Sequence, residues 1–259
     1  MELPDVLPDN MNMRRFFFDK SAIEEGKAII TGNLFRHMAK VLRLKNGTEV
    51  TLVDQEGTRY SGLIQDVGRE RLIIPLKIEG PEPVITKGPG ITLFQGLPKG
   101  NKMELILQKS TEMGVSGIVP FVAARSIPRL PKEREKERLV RWQRISLEAA
   151  RQSGCSTLPE ISQIRDFQEA LGLASQSVKL LLWEKEEANR LRSVLEELPV
   201  PESVAVLVGP EGGLTRDEAE AAIQTGFIPV TLGKRILRTE TAAIAILAIL
   251  QFFWGDMGQ

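Results

Sequence analysis

The spacing of apolar residues along the chain changes character near residue 90. Before that point, short runs of aromatic and β-branched residues are separated by turn residues such as Gly57 and Gly68. Only the stretch from about Phe35 to Leu42 has helical spacing. The runs that predict strands are Arg15–Phe18, Thr48–Val53, Arg59–Val67 and Arg71–Ile78. Several short strands in so few residues predict a small closed β-barrel over residues 1–80.

Two clusters of proline and glycine follow, Gly80–Pro83 and Lys87–Gly90. They predict a linker over residues 81–90. After it, short apolar runs alternate with longer amphipathic stretches, which predicts an α/β domain with a mainly parallel sheet over residues 91–259. The predicted strands are Ile91–Gln95, Gly117–Ala123, Lys179–Trp183, Val204–Val208 and Ile228–Leu232, and the predicted helices are Met103–Met113, Lys132–Ser153, Thr215–Gly226 and Thr239–Trp254.

Composition narrows the class of protein. Of the 259 residues, 42% are hydrophobic and 26% are charged, as in an average soluble protein. The longest apolar run, Ala242–Leu250, is too short to cross a bilayer, and the N-terminus has no apolar stretch typical of a signal peptide. One cysteine and one histidine argue against an internal disulfide, a zinc site and a Ser-His-Asp triad. We therefore expect a cytoplasmic protein without a metal.

The net charge of zero hides an uneven distribution. Residues 81–160 carry a net charge of +5, and residues 161–259 carry −5. A chain of this kind can present a basic face to a polyanion while staying neutral as a whole. The alternative is an ordinary solvated surface on which the asymmetry has no function.

Two loops at predicted strand ends are candidates for ligand binding. Gly209–Leu214 lies between the strand Val204–Val208 and a capped helix, and ligands of open α/β sheets sit at such carboxyl ends. Neither a phosphate-binding Gly-Lys-Ser/Thr sequence nor a dinucleotide fingerprint is present. A second loop, Leu232–Arg238, enters the last helix. Arg238 lies at a helix start, where the dipole disfavours a cation. The alternatives are a tight turn for the first loop, and for Arg238 an ion pair with a neighbouring carboxylate.

Two further segments are polar. Lys102, Lys109 and Glu112 share helical spacing, which is also typical of a solvated helix face. The segment from Glu148 to Ser156 contains Cys155, which as a nucleophile would need a base that the sequence does not show.

Taken together, these segments resemble the bacterial 16S ribosomal RNA uridine methyltransferases of the SPOUT class. One departure is Cys155, where that family often has arginine. The resemblance spans residues 14 to 242 and is carried by Arg14–Phe17, His37 with Val41–Arg43, Lys99–Glu104, Gln108–Val115, Glu148–Gly154, Gly209–Gly213, and Leu232-Gly233 with Ile236–Ala242.

The resemblance implies a PUA-like β-barrel that binds RNA, followed by a SPOUT α/β domain with a C-terminal trefoil knot. It also implies a homodimer that uses S-adenosylmethionine, without a metal, to methylate ring nitrogen 3 of a uridine in 16S ribosomal RNA of the small subunit. The cofactor-binding residues implied are Leu207, Gly209, Glu211, Gly212, Gly213, Leu232, Gly233, Ile236, Leu237 and Arg238. The RNA-binding residues implied are Arg14, Arg15, Arg43, Lys99, Lys102 and Arg151.

The chemistry of that reaction assigns roles to particular residues. Ring nitrogen 3 of uridine is a poor nucleophile until it loses its proton, so a nearby cation and a proton acceptor both help. Arg238 is the expected cation, because arginine stays charged, and Glu240 or Glu112 is the expected acceptor. The last helix, Thr239–Trp254, is apolar nearly all round, so it must be covered on all sides. We expect a partner subunit to cover it, and the alternative is complete burial within one chain. Two other functions remain open: a sister enzyme that methylates ribose 2′-hydroxyl, and a non-catalytic RNA-binding protein of the same fold.

Overall fold

The computed structural model describes residues 14–54, 57–81, 88–126, 131–153, 155, 158–186 and 188–258. The chain divides into two compact units, Met1–Val84 and Ile85–Gln259. The division falls inside the predicted linker 81–90, of which residues 82–87 lie outside the described residues.

The first unit contains two four-stranded sheets around one core. One sheet has the order β1 (Arg14–Phe17), β4 (Glu49–Val53), β5 (Thr58–Leu63), β8 (Lys77–Pro81), and the other has β2 (Ile23–Glu24), β3 (Lys27–Ile30), β7 (Leu72–Pro75), β6 (Asp66–Val67). Strands β1 and β4 are parallel, and the other pairs are antiparallel. Buried residues of both sheets, including Phe16, Leu52 and Ile74, form one apolar cluster.

Two predicted strands of this unit are each split in the structure. The run Arg59–Val67 breaks because the Ile64 N–H bonds the Thr48 carbonyl of the first sheet, whereas the next N–H, of Gln65, bonds Ile73 of the second. The chain thus changes sheets between adjacent residues, which periodicity alone does not reveal. The run Arg71–Ile78 divides in the same way at Leu76.

The helix of the first unit starts earlier than predicted and changes its winding. Helix α1 (Gly32–Phe35) continues into a π-helical segment, Arg36–Val41, and Leu42 closes it by bonding His37 O at 2.9 Å. Arg43 then has a φ of +51°, a left-handed conformation that is uncommon for a residue with a side chain. A short 3₁₀ turn, Lys20–Ala22, is capped by the Asp19 carboxylate.

The second unit is an α/β unit with a seven-stranded parallel sheet, which confirms the predicted class. The strands are β9 (Gly90–Gly96), β10 (Gly117–Val122), β11 (Glu160–Ile161), β12 (Arg165–Asp166), β13 (Val178–Leu182), β14 (Ser203–Val208) and β15 (Ile228–Val230). The order is β11-β10-β9-β14-β13-β15, with β12 also paired to β10. Val204 to Val208 are all buried, as expected of a strand covered on both faces.

Helices cover both faces of this sheet. They are α2 (Lys102–Glu112), α3 (Lys132–Ser153), α4 (Phe167–Gly172), α5 (Leu191–Glu197), α6 (Arg216–Gln224) and α7 (Thr239–Phe253). Residues of α2, α3, α5 and α7 share one apolar cluster, and those of α4 and α6 share the other. Helices α4 and α5 were not predicted, because six or seven residues span too few turns to show a helical period.

Helix α7 is covered on one side only. Ala243, Ile246 and Leu250 are buried, whereas Phe252 is 67% exposed on the opposite side, and Phe253 and Ile249 are also exposed. Complete burial within one chain is therefore not observed. Among the described residues, no helix combines the length and the apolar character that a membrane span requires.

Candidate active site

A cavity of about 390 Å³ lies at the carboxyl ends of β13, β14 and β15. The parallel sheet brings these ends to one edge, because β13 lies between β14 and β15. Its volume is typical of small-molecule sites, which span about 300–1,000 Å³. The lining residues are Leu182, Trp183, Glu184, Val208–Leu214, Val230–Thr239 and Ala242.

The loop Gly209–Leu214, called here the glycine-rich loop, is held on several sides. Gly213 N–H bonds Pro210 O at 2.9 Å, and Arg125 donates from Nη1 to Gly212 O at 3.1 Å. The predicted capping box of α6 is present, since Thr215 accepts from Glu218 N–H and Glu218 accepts from Thr215 N–H. Glu218 also accepts from Ala124 N–H at 2.7 Å, which ties the helix start to the segment after β10.

Glycine is required in this loop for two different reasons. Gly213 has a φ of +67°, which disfavours any side chain. At Gly212, a Cβ atom would lie 2.8 Å from Arg125 Cβ. Gly212 therefore permits close packing against Arg125, and its missing side chain does not open space for a ligand.

The second loop that lines the cavity, Thr231–Arg238, is called here the cationic loop. Lys234, Arg235 and Arg238 are exposed, and none forms an ion pair or hydrogen bond through its side chain with a described residue. Ile236 is 88% exposed. The alternative in which Arg238 pairs with a neighbouring carboxylate is thus not seen in the described part of the chain.

Glu211 links the glycine-rich loop to the start of α2. Lys102 Nζ donates to Glu211 Oε1 at 2.7 Å, and the Lys99 N–H donates to both carboxylate oxygens at 3.1 and 3.2 Å. Burial raises the pKa of Glu211, but the hydrogen bonds from Lys102 and from backbone N–H groups outweigh burial and lower the pKa below its ordinary value. Glu211 therefore stays a carboxylate at neutral pH.

Glu240 occupies the first turn of α7 beside this pair. Its Oε2 lies 3.9 Å from Lys102 Nζ, too far for a hydrogen bond, and this buried atom receives no hydrogen bond from the described residues. An unsatisfied buried acceptor is costly, which makes this atom a candidate for contact with a bound molecule. Glu240 does not line the cavity, but it directly follows the lining residue Thr239, and its Oε2 keeps the capacity to accept a proton or a hydrogen bond.

Besides Glu240, two residues assigned to the cofactor or to the reaction do not line the cavity. Leu207 is fully buried in the apolar cluster that α4 and α6 share, because alternate residues of β14 face opposite sides and its neighbour Val208 lines the cavity. Glu112 ends α2, about 15 Å along the helix axis from Lys102. It pairs there with Lys109 at 2.7 Å, as the spacing predicts. The structure does not bring Glu112 to the cavity of its own chain.

The residues that the resemblance assigns to RNA lie in both units. In the first unit, Arg14 and Arg15 belong to β1, and the structure describes their backbone but not their side chains. Arg43 is exposed at the position with the left-handed backbone conformation. In the second unit, Lys99 is exposed and Lys102 is held by Glu211. Arg151 is exposed in the last turn of α3. Partial burial of its guanidinium lowers the pKa of Arg151 more than the Glu148 charge raises it, but arginine remains charged.

Several residues of the site were not predicted, among them Trp183, Glu184, Gln95 and Arg125. Trp183 and Glu184 line the cavity, and Trp183 Nε1 is buried without a hydrogen-bond acceptor among the described residues. Gln95 and Arg125 reach the loops from β9 and from the segment after β10. Only Gln95 left a signal in the sequence, as a polar residue inside the apolar run of a predicted strand.

The cavity fits the cofactor that the resemblance implies. S-adenosylmethionine has a flat base, hydroxyl groups and positively charged sulfonium and amino groups. Apolar walls at Val208, Leu214 and Leu232 suit the base, and the carboxylates Glu184 and Glu211 suit the positive groups. The orphaned Trp183 Nε1 offers one further donor. No cluster of metal-ligating side chains occurs in the described residues.

Two family models match the chain. The model described as "RNA methyltransferase domain" matches residues 86–251, and the model described as "RNA methyltransferase PUA domain" matches residues 30–76. The chain is similar to ribosomal RNA small subunit methyltransferase E of Bacillus subtilis, with 33% identity over 251 residues that cover 93% of this chain and 96% of the relative.

Solved structures agree with these matches. The crystal structure of ribosomal RNA small subunit methyltransferase E from Neisseria gonorrhoeae, bound to S-adenosyl methionine, has a TM-score of 0.76 and 34% identity, covering 95% of this chain and 99% of that one. A protein of Legionella pneumophila described as a methyltransferase with bound cofactor SAM has a TM-score of 0.77 and 28% identity, with the same coverage of both chains.

Proposed function

We propose a function from the premise that this chain belongs to the RNA methyltransferase family and, within it, to the ribosomal RNA small subunit methyltransferase E group. The protein transfers a methyl group from S-adenosylmethionine to 16S ribosomal RNA of the small subunit. The observation that carries this function is the cavity at the carboxyl edge of the sheet, which the glycine-rich loop lines together with a loop whose cations have no side-chain partner among the described residues. Glu240, with its buried acceptor atom, directly follows the lining residue Thr239 in the chain. Because its substrate is the small ribosomal subunit, the protein acts in the cytoplasm.

More finely, the acceptor is ring nitrogen 3 of a uridine. The cofactor, when bound, supplies a methyl group that needs only an in-line nucleophile. Glu240 takes the N3 proton, because its buried Oε2 has no donor in the described part of the chain. Arg238 lines the cavity and faces the uridine anion that develops, since its guanidinium has no carboxylate partner among the described residues. Glu112 has no role in this proposal because it lies at the far end of α2.

The two loops hold the cofactor chiefly through backbone groups. The residues concerned are Gly209, Glu211, Gly212, Gly213, Leu232, Gly233, Ile236, Leu237 and Arg238, all of which line the cavity. Leu207 takes part only through the position of its strand. Lys102 fixes Glu211 and so sets the distance between the glycine-rich loop and α2.

The RNA is held through phosphates by Arg14, Arg15, Arg43, Lys99 and Arg151, and these contacts make binding salt-dependent. The two sheets of the first unit close into a PUA-like barrel, which their shared apolar cluster supports. The C-terminal segment forms a trefoil knot, which the adjacency of the two loops in one cavity supports.

The protein is a homodimer in which the exposed side of α7 meets a second copy. The exposed apolar residues Ile249, Phe252 and Phe253 support this interface. Sedimentation at micromolar concentration should give about twice the mass of the 28.8 kDa chain. The variant Phe252→Asp should shift the equilibrium towards monomer, whereas a stable monomeric wild type would contradict the interface.

The deciding experiment is incubation of the protein with labelled S-adenosylmethionine and undermethylated small ribosomal subunits. Mass analysis of digested RNA should place the label on a uracil base. A label on ribose would instead show the sister activity. RNA binding without any binding of S-adenosylmethionine would show a non-catalytic RNA-binding protein, and either result would overturn the proposal.

A further inference from the structure

Two buried polar side chains connect the cavity loops beneath their surface. Gln95 is fully buried near the end of β9, and its chain neighbours Leu93, Phe94 and Leu97 are buried apolar residues. Thr239, the first residue of α7, is 5% exposed. Neither residue is explained by the cofactor or RNA contacts described above.

The hydrogen bonds between them have a fixed direction. The Thr239 hydroxyl donates its single hydrogen to Gly209 O at 2.6 Å. Its oxygen can therefore only accept from Gln95, whose Nε2 lies 2.9 Å away. The second hydrogen of that amide goes to Gly96 O at 2.9 Å. The amide nitrogen thus faces two acceptors, which fixes the orientation of the glutamine side chain.

This chain of hydrogen bonds joins three segments that are distant in sequence. Gln95 precedes Thr239 by 144 residues, and Gly209 precedes it by 30. The end of β9, the first residue of the glycine-rich loop and the start of α7 are thereby fixed to one another. The two residues that flank Thr239 are Arg238 and Glu240, so displacement of Thr239 would move both.

We propose that Gln95 and Thr239 are positioning residues that hold the Arg238–Glu240 segment at a fixed position relative to the glycine-rich loop. This role rests on the function proposed above, since it concerns the geometry between bound cofactor and reacting base. Gln95 and Thr239 act through Gly209 and the start of α7 and touch no reacting atom themselves.

The burial of Gln95 supports a positioning role over simple packing. Its Oε1 is buried and accepts no hydrogen bond from the described residues, which an apolar residue at this place would avoid. The amide of Gln95 therefore costs folding free energy that an apolar side chain packed at the same place would not cost. What it adds is a directed donor to Thr239, which an aliphatic side chain cannot supply.

The test compares Thr239→Val, which keeps the shape and removes the hydroxyl, with Thr239→Ser, which keeps the hydroxyl. Thr239→Val should weaken S-adenosylmethionine binding about fivefold to tenfold, the typical effect of one lost hydrogen bond. With both substrates saturating, its single-turnover rate should fall further, by about 100-fold, because small misplacement of reacting groups is expensive. Thr239→Ser should recover most of both. A variant that only destabilised the fold would lower the active fraction, which calorimetric stoichiometry measures, and leave the rate of the active fraction unchanged.

A double-mutant cycle with Gln95→Met tests the connection between the two residues. The effects of Thr239→Val and Gln95→Met on cofactor affinity should be clearly less than additive, since each breaks the same chain. Hydrogen exchange of cofactor-free protein should show faster exchange in residues 209–214 and in the first turn of α7 in either variant. Additive effects, or unchanged exchange in both segments, would overturn the positioning role. These two measurements need no RNA, so they remain decisive even if the wild-type protein fails to methylate 16S ribosomal RNA.

Discussion

The two loops that enclose the cavity follow neighbouring parts of the same sheet, yet they are held in different ways. The glycine-rich loop is fixed by Arg125, by Thr239 and by the bonds that Lys99 and Lys102 make to Glu211. The side chains of the cationic loop have few such contacts. Its polar side-chain bonds are local, between Thr231 and Gly233, and its cations extend without partners among the described residues.

This difference separates two tasks within one site. A loop whose backbone is already fixed can bind a small molecule without loss of conformational freedom on binding. A loop with unpaired cations is electrostatically incomplete until an anion arrives. The glycine-rich loop therefore suits the cofactor alone. The cationic loop lines the same cavity with its backbone, but its charged side chains suit RNA phosphates and the uridine anion that develops during transfer.

The largest expected effect is the loss of methyl-transfer rate when Arg238 is replaced. This experiment tests whether the cationic loop takes part in catalysis. Arg238→Ala should lower the single-turnover rate at saturating cofactor by roughly 100-fold or more, the scale of one lost electrostatic donor. Arg238→Lys should recover part of this loss, because lysine keeps the charge without the planar fork. Cofactor affinity should change little, since the contact forms mainly in the transition state.

Arg235→Ala is the matched control for Arg238→Ala. It removes a charge from the same loop three residues away, and Arg235 also lacks a side-chain partner in the described chain. Its effect should be confined to RNA affinity and to the salt dependence of binding. A normal rate for Arg238→Ala at saturation, with cofactor binding alone weakened, would make Arg238 a binding residue and remove it from the proposed mechanism.

A smaller effect is expected where the glycine-rich loop is changed. Gly213→Ala should weaken S-adenosylmethionine binding by about tenfold, roughly 1.4 kcal/mol, because alanine resists a φ of +67° and its methyl group would displace Glu184. The control is Gly226→Ala after α6, where φ is +91° and no atom lies within 4 Å of the added Cβ. It introduces similar strain outside the cavity. Calorimetry measures the affinity of each variant for S-adenosylmethionine. Equal losses of affinity in the two variants would show that backbone strain causes the loss, and not a change in the glycine-rich loop.

Much of the fold follows from the sequence because its signals are local. The bounds of α3, Lys132–Ser153, agree with the prediction, and those of α6 and α7 differ from it by at most two residues. Their periods extend over several turns, and a capping box marks α6. Strand pairs that last only two residues, such as β11 with β10, have no local signal. The change of sheet at Ile64 and Gln65 is decided by partners far along the chain.

The site was less predictable than the fold because more of its contacts join residues that are far apart in the sequence. The two loops could be located, since a strand followed by a glycine-containing loop is a local pattern, and the resemblance to a known family supplied their roles. The contacts that fix them are not local: Lys102 lies 109 residues from Glu211, and Arg125 lies 87 residues from Gly212. Helical spacing placed Lys102 and Glu112 on one helix, but only the structure shows that one end of that helix reaches the cavity and the other does not.

The smallest expected effect is a change in the pKa of Glu211 when Lys102 is replaced. It tests whether Lys102 helps to fix the glycine-rich loop. Because its folded-state pKa is lowered, the ionised carboxylate stabilises the fold above the ordinary glutamate pKa of about 4.3, and this contribution is lost as pH falls through the folded-state pKa. Lys102→Met removes the strongest hydrogen bond that opposes burial, so the pKa of Glu211 should rise in the variant. The stability difference should be at most about 1 kcal/mol, as for partly exposed pairs. An NMR titration of the Glu211 carboxyl carbon measures the pKa directly.

Lys99→Met is the control, because Lys99 contacts Glu211 through its backbone N–H, which the substitution keeps. If Lys102→Met and wild type titrated alike, Lys102 would not fix Glu211, and its role would return to contacting RNA phosphates.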